Sequence, residues 1–366
     1  KEEIHRAGWN WVTKNLIDKF HDKKADVLID EFIEKTFDWD YCFNNDKAQV
    51  LPHHKRDWIG FIHNPMIIPK PFDIKQTPVN MCARLPFLLA LQNCKGMFTL
   101  SDDLEESVRH IFRLYGFDHI PIETLIHPTP LDVKQFNLNE FLKDPQITSI
   151  GYWLRNFEPY WLLNTTMTKN VLLGRLPYAH QIYKQQEEEF KRKCMHTGEK
   201  AKGHIIAHKH LENKEFDKFL TNTVAFLSLI DTSANNGVTD CISRNIPLLV
   251  NCHPAVVQYL GDDYPFYYNS LETANKKIND IAASFGMDIS ESSSDVELPE
   301  TMEEAELYMQ LTYKQSVEIA EEQALTTLFE GSNYELIKKR FYYDLTVLGI
   351  GAVKTSFNTS EGVVID

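Results

Sequence analysis

The chain has 366 residues, which at roughly 150 residues per domain suits two domains or one large domain with an appendage. Its 43% hydrophobic and 25% charged composition, with 15 Gly and 16 Pro, excludes collagen-like, low-complexity and wholly disordered chains. Lys and Arg number 38 against 52 Asp and Glu, a net charge of -14, so neither nucleic acid nor an anionic membrane surface is expected as the main partner.

No apolar run approaches the roughly 18–20 residues of a membrane span; the longest clean one is Val224–Ile230. Lys1–Asn10 has no apolar signal-peptide core. Six scattered cysteines without a C-x-x-C pair read as free thiols in a reducing compartment, so a cytoplasmic location is expected.

Taken in chain order, the first element is a helix over Asn10–Phe20, following the loop Arg6–Trp11 (RAGWNW). A doubly wound sheet normally opens with a strand before such a loop, so either an opening strand is missing upstream or, the preferred expectation, the chain is part of a longer polypeptide. Strands are expected at Trp58–His63, Gly96–Leu100 and Ile122–Ile126, with helices at Leu85–Asn93 and Asp102–Tyr115. Pro128–Pro145 then reads as a linker. Beyond it come strands at Ile147–Trp153, His204–His208, Val224–Ile230, Pro247–Asn251 and Pro265–Tyr268. Helices are expected at Tyr178–Lys193, Asn213–Thr221, Val238–Arg244 and Ala255–Leu260. An acidic polar loop, Ser290–Glu300, precedes helical patterns at Met302–Glu322 and Tyr334–Val353. Alternation of buried-type strands with helices predicts an α/β fold with parallel sheets. The expected organisation is a first Rossmann-like domain over 1–135, a second over 146–335, and a helical segment 336–366 packing back on the first. Ligands of such sheets sit at the carboxyl ends of the strands, in a cleft.

The stretch from Thr221 to Tyr268 is the most informative. A fully apolar strand runs into Asp231–Asn236, a cluster of turn-forming Asp, Ser and Asn. A helix follows near Gly237, and its unpaired N–H groups suit a diphosphate. Asp240, one turn in, is placed to accept from ribose hydroxyls. Asn235 and Asn236 read equally well as turn residues.

This stretch resembles the nucleotide-sugar half of GT-B glycosyltransferases, in particular the large retaining family of many bacterial and viral sugar transferases. Asp240–Pro247 (DCISRNIP) keeps the acid-to-proline spacing of that family, and His253–Asp263 (HPAVVQYLGDD) is similar to its downstream element. The resemblance implies two doubly wound Rossmann-like domains facing a cleft, with C-terminal helices crossing back. It also implies transfer of a sugar from a nucleoside-diphosphate sugar to an acceptor hydroxyl with retention and without metal. It assigns Asp240 to the ribose, and the loop Asp231, Thr232, Ser233, Ala234, Asn235, Asn236 and Gly237 to the nucleotide sugar. Thr232 stands where the family has a Glu near the donor sugar, and Gln258 where a Glu is common. Arg155, in Ile147–Phe157, matches an Arg that neutralises the leaving diphosphate, although the Lys that usually follows is absent. His63, ending Asp57–Pro65 (DWIGFIHNP), matches a His that faces the donor sugar, and Gly8 lies in the first loop. Competing readings are an epimerase or hydrolase of the same fold, and a binding or protein-interaction module with little turnover. No metal is expected: Asp38-Trp39-Asp40 has D-x-D spelling without a strand-end context, and His204, His208 and His210 lack a completing ligand.

Overall fold

The computed structural model of the chain describes residues 27–39 and 54–287, apart from 67, 73–76, 128, 130–132 and 209. Gly8, the Asn10–Phe20 helix, the acidic loop, the late helical patterns and the 336–366 segment lie outside the described residues.

The described chain falls into two compact units. One holds residues up to His63 together with Pro78–Leu125; the other holds Asn64–Thr77 and the chain from Ile126 onward. The excursion 64–77 is not signalled in the sequence. Nor does the expected linker behave as a free connector. The Phe136 and Asn137 amides donate to Arg244 O and Thr221 O at 2.7 and 2.9 Å, and Asn137 caps a short helix, α4 (Leu138–Phe141), of the second unit.

The first unit is a parallel sheet in the order β1 (Leu28–Asp30), β2 (Trp58–Phe61), β3 (Cys94–Thr99), β4 (Ile122–Thr124). A π-helical turn, Lys35–Trp39, follows β1. Helices α1 (Pro78–Cys82), α2 (Leu85–Leu91) and α3 (Asp102–Leu114) complete it. The α3 sequence explains itself. Ser101 caps the Leu104 amide, acids at 102, 103 and 105 meet the positive helix end, and Leu104, Val108, Ile111 and Phe112 bury one face. Gly60 is required by close approach. A Cβ there would sit 2.5 Å from the Trp58 ring and 2.8 Å from Ile33.

The second unit is a six-stranded parallel sheet. Its strands are β5 (Gln146–Ile150), β6 (Thr168–Leu172), β7 (Ile205–His208), β8 (Val224–Leu227), β9 (Leu248–Asn251) and β10 (Tyr267–Tyr268). They run in the order β10-β9-β8-β5-β6-β7. That is the doubly wound arrangement, with winding reversed between β5 and β8. Its remaining helices are α5 (Glu158–Leu162), α6 (Pro177–Thr197), α7 (Asn213–Leu220), α8 (Asn236–Arg244), α9 (Pro254–Leu260) and α10 (Leu271–Ser284). All four residues of β8 are 0% exposed, which is why its sequence is wholly apolar rather than alternating. Among the described residues no helix is long and apolar enough to cross a membrane.

Several expected strands end earlier than their apolar runs. Trp58–His63 stops at Phe61, Ile147–Trp153 at Ile150 and Val224–Ile230 at Leu227. In each case the residues past the strand turn away to build loops at its carboxyl end.

Candidate functional site

Two loops meet where the winding of the second sheet reverses. The first, after β5, starts at Gly151 with φ +77° and passes through Leu154 at φ +53°. A left-handed conformation is strained for a leucine, and it is held because the side chain is buried against Ile68, Phe72 and Ile182. Two backbone bonds tie this loop to the one after β8: Ile230 N–H to Leu154 O and Asn156 N–H to Ser228 O, both 2.9 Å.

This geometry turns Arg155 inward. Its Nε donates to Ile150 O (3.0 Å), Nη1 to Trp153 O (2.9 Å) and Nη2 to Asn235 Oδ1 (2.9 Å). The residue is 7% exposed, and among the described residues no carboxylate pairs with it. Burial lowers its pKa from 12.5 to about 10, so it keeps its charge at neutral pH.

Asn235 Oδ1 also accepts from Gly237 N–H at 2.9 Å, so the residue bonded to the guanidinium is itself the cap of α8. Gly237 is needed here. A Cβ would lie 3.0 Å from that capping oxygen and 3.3 Å from Leu227 Cδ1.

The rest of the β8 loop is held as firmly. Asp231 Oδ1 accepts the Thr232 amide (2.7 Å), and Thr232 Oγ1 donates to Ala234 O (3.0 Å). Ser233 is buried, while Asn236 is exposed at the first position of α8. From β9, the Asn251 side chain accepts from Leu229 N–H (2.7 Å) and donates to Leu229 O (3.0 Å). From β10, Tyr268 donates to Leu227 O at 3.0 Å. His253, leading α9, lies with Nε2 3.1 Å from Asp231 Oδ1.

Asp240 stands in the second turn of α8. Its Oδ1 is 2.6 Å from Arg244 Nη1, and Arg244 Nη2 is 3.0 Å from Asp217 of α7. The pair is buried on the helix, one turn from the capped end.

His63 belongs to the first unit, just past the end of β2. The buried carboxylate of Glu34 takes its backbone N–H at 2.6 Å, with Oε2 3.7 Å from Nδ1, and Phe32 packs on the ring edge-on. Glu34 was not signalled in sequence; its pairing with a residue 29 positions on appears only once β1 and β2 are adjacent.

The histidines of the β7 segment are not gathered. His208 Nε2 is 2.7 Å from Asn170 Oδ1, and His210 faces Glu212 at 3.4 Å. Among the described residues no three His, Cys, Asp or Glu side chains come together as a metal-holding group.

Two parallel-sheet units, the second of them doubly wound, give this chain the GT-B fold. A trehalose-6-phosphate synthase structure matches with TM-score 0.53 at 10% identity, covering 92% of this chain and 75% of that one. A sucrose-phosphate synthase from Thermosynechococcus elongatus matches with TM-score 0.50 at 10% identity, covering 92% and 78%. A trehalose-6-phosphate structure from E. coli bound with UDP-2-fluoro glucose matches with TM-score 0.51 at 10% identity, covering 86% and 73%. No family model matches the sequence, and no curated protein matches it at a significant level.

Proposed function

We propose that the protein is a glycosyltransferase that moves a hexosyl or pentosyl group from a nucleoside-diphosphate sugar to an acceptor hydroxyl, retaining the anomeric configuration and using no metal. The observation that carries this reading is Arg155. A guanidinium held at the switch point without a carboxylate partner among the described residues, and hydrogen-bonded to the cap of α8, supplies positive charge where a ligand of such a sheet binds. The α8 N-terminus adds the positive end of a helix dipole. Together they suit a diphosphate, and they would stabilise the charge it gains as it leaves. In this reading the loop from Asp231 to Gly237 cradles the donor and Asp240 accepts from the ribose. His63, whose backbone N–H is held by Glu34, and Gly8 are assigned to the donor in this reading. The structural likeness to trehalose-phosphate and sucrose-phosphate synthases supports a nucleotide sugar as donor and a phosphorylated sugar among the acceptors to try.

The test is calorimetric titration of the full chain with UDP, GDP, UDP-glucose and GDP-mannose, with and without EDTA. Binding of one nucleotide family, unaffected by EDTA and lost in Arg155→Met, is the expected result. Absence of binding by every nucleotide overturns the reading. NMR of the product formed from a bound donor reports the anomeric outcome, and inversion would overturn the retaining assignment.

A further inference from the structure

The pair His253–Asp231 joins the loop after β9 to the loop after β8, and no role for His253 follows from the reading above. Its ring nitrogens are distinguished by their partners. Nδ1 accepts the Ala255 N–H at 3.2 Å, which caps α9, while Nε2 lies 3.1 Å from Asp231 Oδ1. A nitrogen that accepts an N–H carries no proton, so the neutral ring holds its proton on Nε2 and donates it to the carboxylate. The side chains of both residues are largely buried, at 14% and 11% exposure, and the same Asp231 oxygen also takes the Thr232 amide. One oxygen is thereby fixed by two donors, which sets the plane of the carboxylate at the end of β8.

We infer that His253 is a positioning residue: it orients Asp231 so that this carboxylate accepts a hydroxyl of the donor sugar. The inference rests on the nucleotide-sugar reading of the loop and deepens it. Three features converge. Asp231 and His253 leave adjacent strands at their carboxyl ends, where ligands of doubly wound sheets bind. Arg155, on the neighbouring β5 loop, suits the diphosphate. The helix cap makes the tautomer of His253 a fixed property rather than one chosen by the ligand.

Two substitutions separate orientation from capping. In His253→Asn the side-chain oxygen replaces Nδ1 and keeps the cap, but nothing reaches Asp231. In His253→Gln the amide nitrogen replaces the Nε2 donor, but the cap is lost. The measurement is affinity of the full chain for UDP and for UDP-glucose, with GDP and GDP-mannose as the alternative pair, alongside the melting temperature.

We expect His253→Asn to melt near the wild type and to bind the free nucleotide within about twofold, yet to lose about tenfold in affinity for the nucleotide sugar, the scale of one hydrogen bond to a charged group. His253→Gln should melt lower and keep the preference for the nucleotide sugar. Equal loss of nucleotide and nucleotide sugar in His253→Asn, or no loss of either, overturns the inference while leaving the nucleotide reading standing. So does a loss that tracks melting temperature across both variants. Failure of the wild type to bind any of the four compounds overturns both.

Discussion

Nη2 of Arg155 and Oδ1 of Asn235 meet at 2.9 Å across eighty positions of chain, so the residue that closes the β5 loop and the residue that starts α8 hold one another in place. A double-mutant cycle with Arg155→Met and Asn235→Ala reads this coupling. Loss of the cap alone should cost about 1 kcal/mol. Loss of the guanidinium should cost about 2–4 kcal/mol, because three acceptors lose their donor. The coupling energy from denaturant unfolding should be at least about 0.5 kcal/mol. Strict additivity would show that the contact contributes nothing.

Gly237→Ala sets two effects against each other. Alanine is favoured over glycine in a helix by up to about 1 kcal/mol. The new methyl would press at 3.0 Å on an oxygen already held by Gly237 N–H and Arg155. That oxygen cannot give way without breaking the cap, so the substitution should lower the melting temperature and weaken nucleotide binding. A more stable variant with unchanged affinity would contradict this.

Leu154→Gly likewise has two sides. Glycine relieves the left-handed backbone by roughly 1 kcal/mol, but it removes a side chain 2% exposed, a loss of about 2–5 kcal/mol. Net destabilisation of about 1–4 kcal/mol is expected from the balance of these terms, and stabilisation in urea unfolding would show that the strain dominates.

Lys169 provides a pH signature away from the site. Its ammonium donates to Trp161 O, Leu163 O and Lys202 O, and burial lowers its pKa from 10.5 to about 8. Between those values the unfolded chain binds more protons than the folded one. The cost of burying this charge is therefore constant below pH 8 and is relieved as pH rises towards 10.5. The stability difference between wild type and Lys169→Met should shift in favour of the wild type across that window and stay flat below pH 7. Buried Cys82 and Cys94, pushed up to about 12, act in the opposite direction but cancel in the comparison.

Asp240→Asn and Arg244→Met should both destabilise by about 1–3 kcal/mol, since each breaks a buried charged hydrogen bond, although Arg244 keeps Asp217 in the first variant. UDP affinity distinguishes them. If Asp240 serves the ribose, Asp240→Asn loses affinity while Arg244→Met retains it, both measured well below their melting temperatures. Equal affinity in the two variants would leave Asp240 a purely structural carboxylate.

The β8–loop–α8 unit was legible because each of its parts has a local signature: an unbroken apolar run, a cluster of turn residues and a small residue at the helix start. β6 was not, because Thr168–Leu172 carries Lys169 and Asn170 inside a buried strand. Those polar groups are tolerated through long-range partners, main-chain carbonyls for the lysine and His208 for the asparagine. The three residues of β1 are too few for any period to show. α10 carries a readable signal in its Ser270–Thr273 capping box, though its sequence lacks a strong apolar stripe to go with it. The β8 loop could be nominated from its residue types and Arg155 from the family resemblance, but the contacts that organise them could not. Asn235 against Arg155, Asn251 against Leu229 and His253 against Asp231 depend on which strands lie side by side, and strand order leaves no mark in local sequence.

The detour of 64–77 bears on how the protein can be divided. Ile68 and Phe72 cover Leu154 and Ile182, Phe72 stacks edge-on against Trp153, and Tyr178 donates to Pro71 O. A fragment beginning at residue 126 would carry the whole six-stranded sheet yet leave that apolar face bare, directly over the left-handed turn that aims Arg155. Such a fragment is expected to self-associate. Supplying 64–77 as a separate peptide, or fusing it ahead of residue 126 through a flexible linker, should restore a monomer. The second unit of this chain is thus encoded in two separate stretches of its gene, and domain-swapping experiments that honour only the longer one will exchange an incomplete part.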